Sequence, residues 1–166
     1  MRHRLVLLVL LGVAMVGCDQ ATKEVAQSRL QGAPSVEILG GVVTMAYAEN
    51  PGAFLGLGDR LPDGARAALL IGVNLVVLAA LGWWAFRRRQ DTLVRVAATL
   101  VIAGGVGNLI DRLLREGGRV VDFLVLGVGP VRTGVFNVAD VAVMVGVGLL
   151  FLRLARPAPE SAGDAT

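Results

Sequence analysis

Residues 67–86 read Ala67-Ala68-Leu69-Leu70-Ile71-Gly72-Val73-Asn74-Leu75-Val76-Val77-Leu78-Ala79-Ala80-Leu81-Gly82-Trp83-Trp84-Ala85-Phe86, with no charge and one polar side chain, Asn74. A helix needs about 20 predominantly apolar residues to cross the hydrocarbon of a bilayer, with a range of roughly 17–25. This stretch meets that requirement alone. Three further apolar runs lie at 5–18, 92–110 and 134–152. The run at 92–110 also qualifies, with Arg95 near its start and Asn108 near its end. The run at 134–152 is near the lower limit and carries Asn137 and Asp140 at its start. The run at 5–18 is short and spans only if its helix continues through Asp19, Gln20 and Lys23, which puts charge at the far membrane face. The expected fold class is an all-α membrane protein with four transmembrane helices, at about 5–24, 67–86, 92–112 and 134–153.

Composition agrees with a lipid environment. Of the 166 residues, 55% are hydrophobic and only 17% charged, and the mean hydropathy is +0.68. That length makes one compact unit, taken as a single integral membrane domain over 1–156. The 22 glycines suit close approach of helix backbones in a membrane. A net charge of +3 and a pI near 10.0 raise the question of nucleic acid. The arginines, however, flank apolar runs and form no basic face, so no nucleic-acid partner is expected. The single Cys18 excludes an internal disulfide.

Basic flanks set the orientation. Arg2 and Arg4 precede the first run, Arg87, Arg88 and Arg89 separate the second and third, and Arg153 and Arg156 follow the fourth. With four spans all three clusters fall on one side, which the positive-inside rule makes cytoplasmic. Both termini are then inside, and 24–66 and 112–133 lie outside. Trp83 and Trp84 sit where interfacial anchors are expected. The outer stretch 36–49 alternates partially around Gly40-Gly41 and predicts a small hairpin-like strand pair. The stretch 117–133 predicts an extended loop, and the Pro/Ala-rich tail 157–166 predicts disorder.

On this topology the polar residues collect at one depth, near the outer interface. Asp19 and Lys23 end the first span and, four apart, can pair; an ordinary interfacial ion pair would look the same. Asn108, Asp111 and Arg112 end the third span, after Gly104-Gly105-Val106-Gly107. The glycines there suit helix contact. Arg112 could hold Asp111 or donate to a substrate carbonyl, and a helix-end salt bridge is the plainer reading. Asn137 and Asp140 open the fourth span, where a helix cap would also account for them. Asp122 lies in the second outer segment and Asn50 in the first.

An ionisable side chain beside hydrocarbon is a functional-site hypothesis by default. Asp122, in Val120-Val121-Asp122-Phe123, and Asp140, in Phe136-Asn137-Val138-Ala139-Asp140, could converge on one water. Two close carboxylates share one proton over a range of pH. The charged member takes a proton from water and the neutral one donates to a scissile carbonyl, which is peptide hydrolysis without metal or cofactor. Metal ligation would want His or Cys, and the chain offers only His3 and Cys18. The serines, Ser28, Ser35 and Ser161, have no nearby His for a serine mechanism.

At these residues the chain resembles bacterial lipoprotein signal peptidase, signal peptidase II. The matching stretches, in order, are Asp19-Gln20-Ala21-Thr22-Lys23, Asn50-Pro51-Gly52-Ala53-Phe54, Gly104 through Arg112, Val121-Asp122-Phe123 and Phe136 through Asp140. Each alone is weak; five in order on this frame are specific. The resemblance implies an aspartic endopeptidase of the bacterial inner membrane that cuts prolipoproteins just before a diacylglyceryl-Cys. It implies Asp122 and Asp140 as the catalytic dyad. It also implies Asp19, Lys23, Asn50, Gly104, Asn108, Asp111, Arg112 and Asn137 as surrounding or supporting residues. Inhibition by globomycin, contact with membrane lipid and a segment near Asn50 lying over the site follow from it too. One chain holds every expected catalytic part, so a monomer is expected.

Two other readings compete. Met15-Val16-Gly17-Cys18 after a basic start resembles a lipobox, which would make the chain itself a lipoprotein, although three further apolar runs fit that poorly. A small transporter or channel also places carboxylates in membranes, but here they cluster at one face.

Overall fold

The computed structural model describes residues 2–52, 61–87 and 90–155. Ala53 and Phe54, the arginines Arg88, Arg89 and Arg156, and the tail 157–166 lie outside the described residues. The elements are helix α1 (Arg2–Leu30), strands β1 (Val36–Ile38) and β2 (Val43–Asn50), helices α2 (Asp63–Ala85) and α3 (Thr92–Leu114), strands β3 (Val120–Val128) and β4 (Val131–Arg132), and helix α4 (Val138–Leu154).

Among the described residues three helices, α1, α2 and α3, are long and apolar enough to cross a membrane. Helix α4 is fully formed but 17 residues long, about 26 Å at 1.5 Å per residue. It begins at Val138 rather than 134 because Asn137 caps it. The Asn137 side chain accepts from the Asp140 backbone N–H, and the Asp140 carboxylate accepts from the Asn137 N–H. This reciprocal box satisfies two otherwise orphaned groups. Helix α1 does continue through Asp19 and Lys23, and runs on to Leu30. Its last turns leave the apolar run and bury Ala26 and Leu30 against Phe123, with Met45, Tyr47, Leu124 and Val138 around them. That cluster fixes the sheet to the helices.

Helix α3 is the axis of the bundle. Helices α1, α2 and α4 all pack on it, while α2 makes no comparable contact with α1 or α4. The α3–α4 seam is backbone-close. A Cβ at Gly104 would lie 2.3 Å from the Ala139 carbonyl oxygen, and one at Gly146 would lie 2.6 Å from that of Ala97. Only glycine permits both approaches, and dispersion contact replaces the hydrophobic effect that lipid does not supply. At the other end, Ala85, Val94 and Ala98 are buried with Leu81, Trp84 and Leu150. There Asp91 caps α3 through the Val94 N–H and pairs with Arg153 of α4.

The segments expected to lie outside depart from the all-α expectation. The hairpin-like pair is present as β1 and β2, turned at Leu39–Gly41. The expected extended loop is instead strands β3 and β4. All four form one antiparallel sheet in the order β1-β2-β3-β4. Ala48 pairs with Asp122 and Asn50 with Val120, after a bulge between Met45 and Ala48. The two inter-helix segments, read separately in sequence, are thus a single platform.

Candidate active site

The platform and the helix ends bring the polar residues together. Lys23 is fully buried, yet its ammonium has three oxygen partners: Asp19 Oδ2 at 2.8 Å, Asp111 Oδ2 at 3.0 Å and Asn108 Oδ1 at 2.9 Å. An ammonium has three protons, so this buried charge is fully satisfied. Both acids are bound further. Asp19 Oδ1 accepts from the Ala139 N–H at 2.9 Å, in the first turn of α4, where an anion is favoured. Asp111 Oδ2 accepts from the Val121 N–H at 3.0 Å. One lysine therefore ties α1, α3, β3 and α4 into one unit.

The two candidate acids sit on top of this knot. Asp122 is 2% exposed. Its Oδ1 accepts from Asn137 Nδ2 at 2.6 Å, and its Oδ2 from Asn50 Nδ2 at 2.9 Å. Asn50 is aimed by its own turn, because its Oδ1 accepts from the Gly52 N–H at 2.8 Å. Asp140 is half-buried. Its Oδ1 accepts from Asn108 Nδ2 at 2.9 Å and its Oδ2 from the Asn137 N–H at 3.1 Å. Asn137 thus bonds both carboxylates, one through its side chain and one through its backbone. Each carboxylate oxygen accepts one bond and has capacity for another. Burial, and then the charge of Asp140, push the Asp122 pKa up to about 6, against the donors Asn50 and Asn137 and the charge of Lys23. Among the described residues no group of three His, Cys, Asp or Glu side chains has metal-binding geometry.

Arg112 does not hold Asp111. Successive helix positions diverge by about 100°, so Asp111 turns to α1 and Arg112 away from it. Asp111 is held by Lys23 and by Arg115 Nε at 3.4 Å. Arg112 donates to the Gly118 carbonyl at 2.8 Å and lies within Coulombic reach of Asp122, Asp111 and Asp140 without an ion-pair contact to any of them. Gly52, at φ +87°, covers it: a Cβ there would lie 2.9 Å from both terminal nitrogens of Arg112 and 2.4 Å from Leu70 of α2. Gly104 touches no acid; it sets the depth of Ala139, and hence of its neighbour Asp140.

Sequence reasoning missed three contributors. Gln20 donates to Gly107 O at 3.1 Å and Asp19 Oδ2 at 3.1 Å, although its place inside a quoted motif was a usable signal. Arg115 lies four residues after Asp111 on α3, a spacing that marks a pair. Arg66, buried beside Asp63, lies three residues after its partner on α2, a spacing that likewise marks a pair.

The chain is similar along most of its length to known proteins. Residues 11–156 match the family model described as signal peptidase (SPase) II. It is 38% identical to the lipoprotein signal peptidase of Symbiobacterium thermophilum, over 88% of this chain and 92% of that one. It is 34% identical to that of Moorella thermoacetica, over 92% and 95%. Its fold superposes on a bacterial membrane enzyme solved by the in meso method with a TM-score of 0.80 and 28% identity, covering 91% of this chain and 94% of the other.

Proposed function

Because the chain belongs to the signal peptidase II family, and is thereby an aspartic-type membrane peptidase that removes signal peptides from prolipoproteins, we propose that Asp122 and Asp140 are its catalytic dyad. The observation that carries this reading is Asn137, which bonds both acids. Asp122, whose proton is held up to about pH 6, is the acid; Asp140, accepting two N–H donors, is the base. Asp140 takes a proton from water as the oxygen attacks the scissile carbonyl carbon. Asp122 gives its proton to the carbonyl oxygen. The tetrahedral diol then collapses: one diol hydroxyl returns its proton to Asp122 as the carbonyl re-forms, the C–N bond breaks, and the leaving amine takes the proton held by Asp140. Substrate entry excludes water and strengthens each of these interactions.

Asp19, Lys23, Asn108, Asp111 and Asn137 hold the acids in place, and Gly104 sets the helix spacing. Asn50 and Arg112 face the substrate, with Arg112 donating to a peptide carbonyl. The bond cut is the one before a diacylglyceryl-Cys. Its acyl chains stay in lipid while only the peptide reaches the acids, in the opening that α2 leaves beside α4. All four helices cross the inner membrane, α4 at the minimum length, with both termini cytoplasmic and the dyad at the outer face. One chain, folded as a single domain over 1–156, suffices, and globomycin occupies the same site.

The test is in-vitro cleavage of a diacylglyceryl prolipoprotein. Asp122→Asn and Asp140→Asn should each abolish turnover in folded protein; near-normal processing by either refutes the dyad. Neither competing reading is favoured. The charged network lies at one end of the bundle, and Cys18 sits within the continuous helix α1.

A further inference from the structure

A second site lies on the opposite side of α3. An apolar groove of about 610 Å³ runs between α1 and the end of α2, floored by Thr99, Ile102, Ala103 and Val106 of α3 and walled by Gly12 and Gly17 of α1. Its volume is within the ~300–1,000 Å³ of pockets that enclose a small ligand. It is not part of the catalytic opening. Asn108 is nine residues beyond Thr99, about 180° around the helix at 3.6 residues per turn.

At the end remote from the dyad the groove continues, through the shared residues Leu5, Leu8 and Phe86, into a second cavity of about 520 Å³. That cavity is lined by Arg2, Arg4 and Arg95, with Thr92 between them. Arg4 is held at the mouth by Thr92 Oγ1 at 3.5 Å. The buried Nε of Arg95 has no hydrogen-bond partner among the described residues. Asp91, the acid at this end of α3, is engaged by Arg153. Three cations at the mouth of a hydrocarbon-lined slot fit one kind of occupant, a molecule with an anionic head and an apolar tail. Basic pockets between transmembrane helices at the cytoplasmic face bind such headgroups.

We propose that this continuous slot is a binding site for one anionic phospholipid of the surrounding bilayer, its acyl chain along Gly12 and Gly17 and its phosphate between Arg2, Arg4 and Arg95. The lipid fills the gap that α1 and α2 leave behind α3, and it bridges two helices that pack on α3 rather than on each other among the described residues.

Native mass spectrometry of the full chain released from nanodiscs of equal phosphatidylglycerol and phosphatidylcholine tests this. Wild type should retain one phosphatidylglycerol and little phosphatidylcholine. Arg4→Gln combined with Arg95→Gln should weaken retention by roughly 30-fold, at about 1 kcal/mol per cation. Gly17→Leu tests the tail. A Cβ at Gly17 meets nothing within 4 Å, so the added side chain fills the groove without moving the backbone, and phosphatidylglycerol retention should be lost. Equal retention of both lipids by wild type overturns the proposal, as does unchanged phosphatidylglycerol retention in Gly17→Leu. If the arginine variant does not fold, the leucine variant decides. Cleavage is not the readout, so failure here leaves the dyad untouched.

Discussion

Asp122 accepts one hydrogen bond on each oxygen, and both donors favour its charged form, yet burial wins and lifts its pKa from 3.8 to about 6. The unfolded chain gives up that proton near 3.8, so the stability Asp122 contributes is present below 3.8 and lost as pH rises through about 6. If Asp122 is the acid, kcat/KM falls as pH rises above about 6, since this profile reports the free enzyme. Asn50→Ala removes a donor to the carboxylate from an exposed position. The alkaline limb should then move up by on the order of one pH unit, because a hydrogen bond to a charged group is worth about 1.5–3 kcal/mol. A pH–rate profile with the limb unmoved would remove Asp122 from the acid role. The residues themselves were legible: every candidate named from sequence lies in or against one network. The pairing of Arg112 was not, because adjacent helix positions leave open which neighbour each side chain meets.

At the level of elements, the buried lysine is the joint. Lys23→Met leaves Asp19 as a buried charge without its cation and Asp111 with only the longer contact to Arg115, at a cost of about 3–5 kcal/mol. Thermal unfolding in detergent should show a large drop in midpoint; an unchanged midpoint would mean that the knot holds nothing together. Gly104→Ala drives a methyl into the Ala139 carbonyl, and overpacking of this kind costs about 1–3 kcal/mol. It should also lower kcat more than it changes KM, since α4 carries Asp140 away from Asp122. Helices were legible because apolar length is a one-dimensional property. The start of α4 shifted because its cap, Asn137, is a polar residue inside the apolar run. The sheet was the least legible part. Strands β2 and β3 are separated by α2 and α3 in sequence, and nothing in Val43–Asn50 names Val120–Val128 as its partner.

For the molecule as a whole, the proposed topology puts the sheet outside and the start of α1 and the end of α4 inside. In a Cys18→Ala background, Glu37→Cys in β1 should react with a membrane-impermeant maleimide added to intact spheroplasts. Leu154→Cys at the end of α4 should react only after permeabilisation; the reverse pattern would invert the orientation. The bond from the Ala139 N–H to Asp19 joins positions 120 residues apart. A ribosome delivering this chain to the bilayer therefore emits 137 of the 166 residues before the first residue of α4, the helix that carries one acid of the proposed dyad. A translation product stalled before that helix lacks Asp140 and the Ala139 N–H that binds Asp19, so on the proposed dyad it is not yet a peptidase.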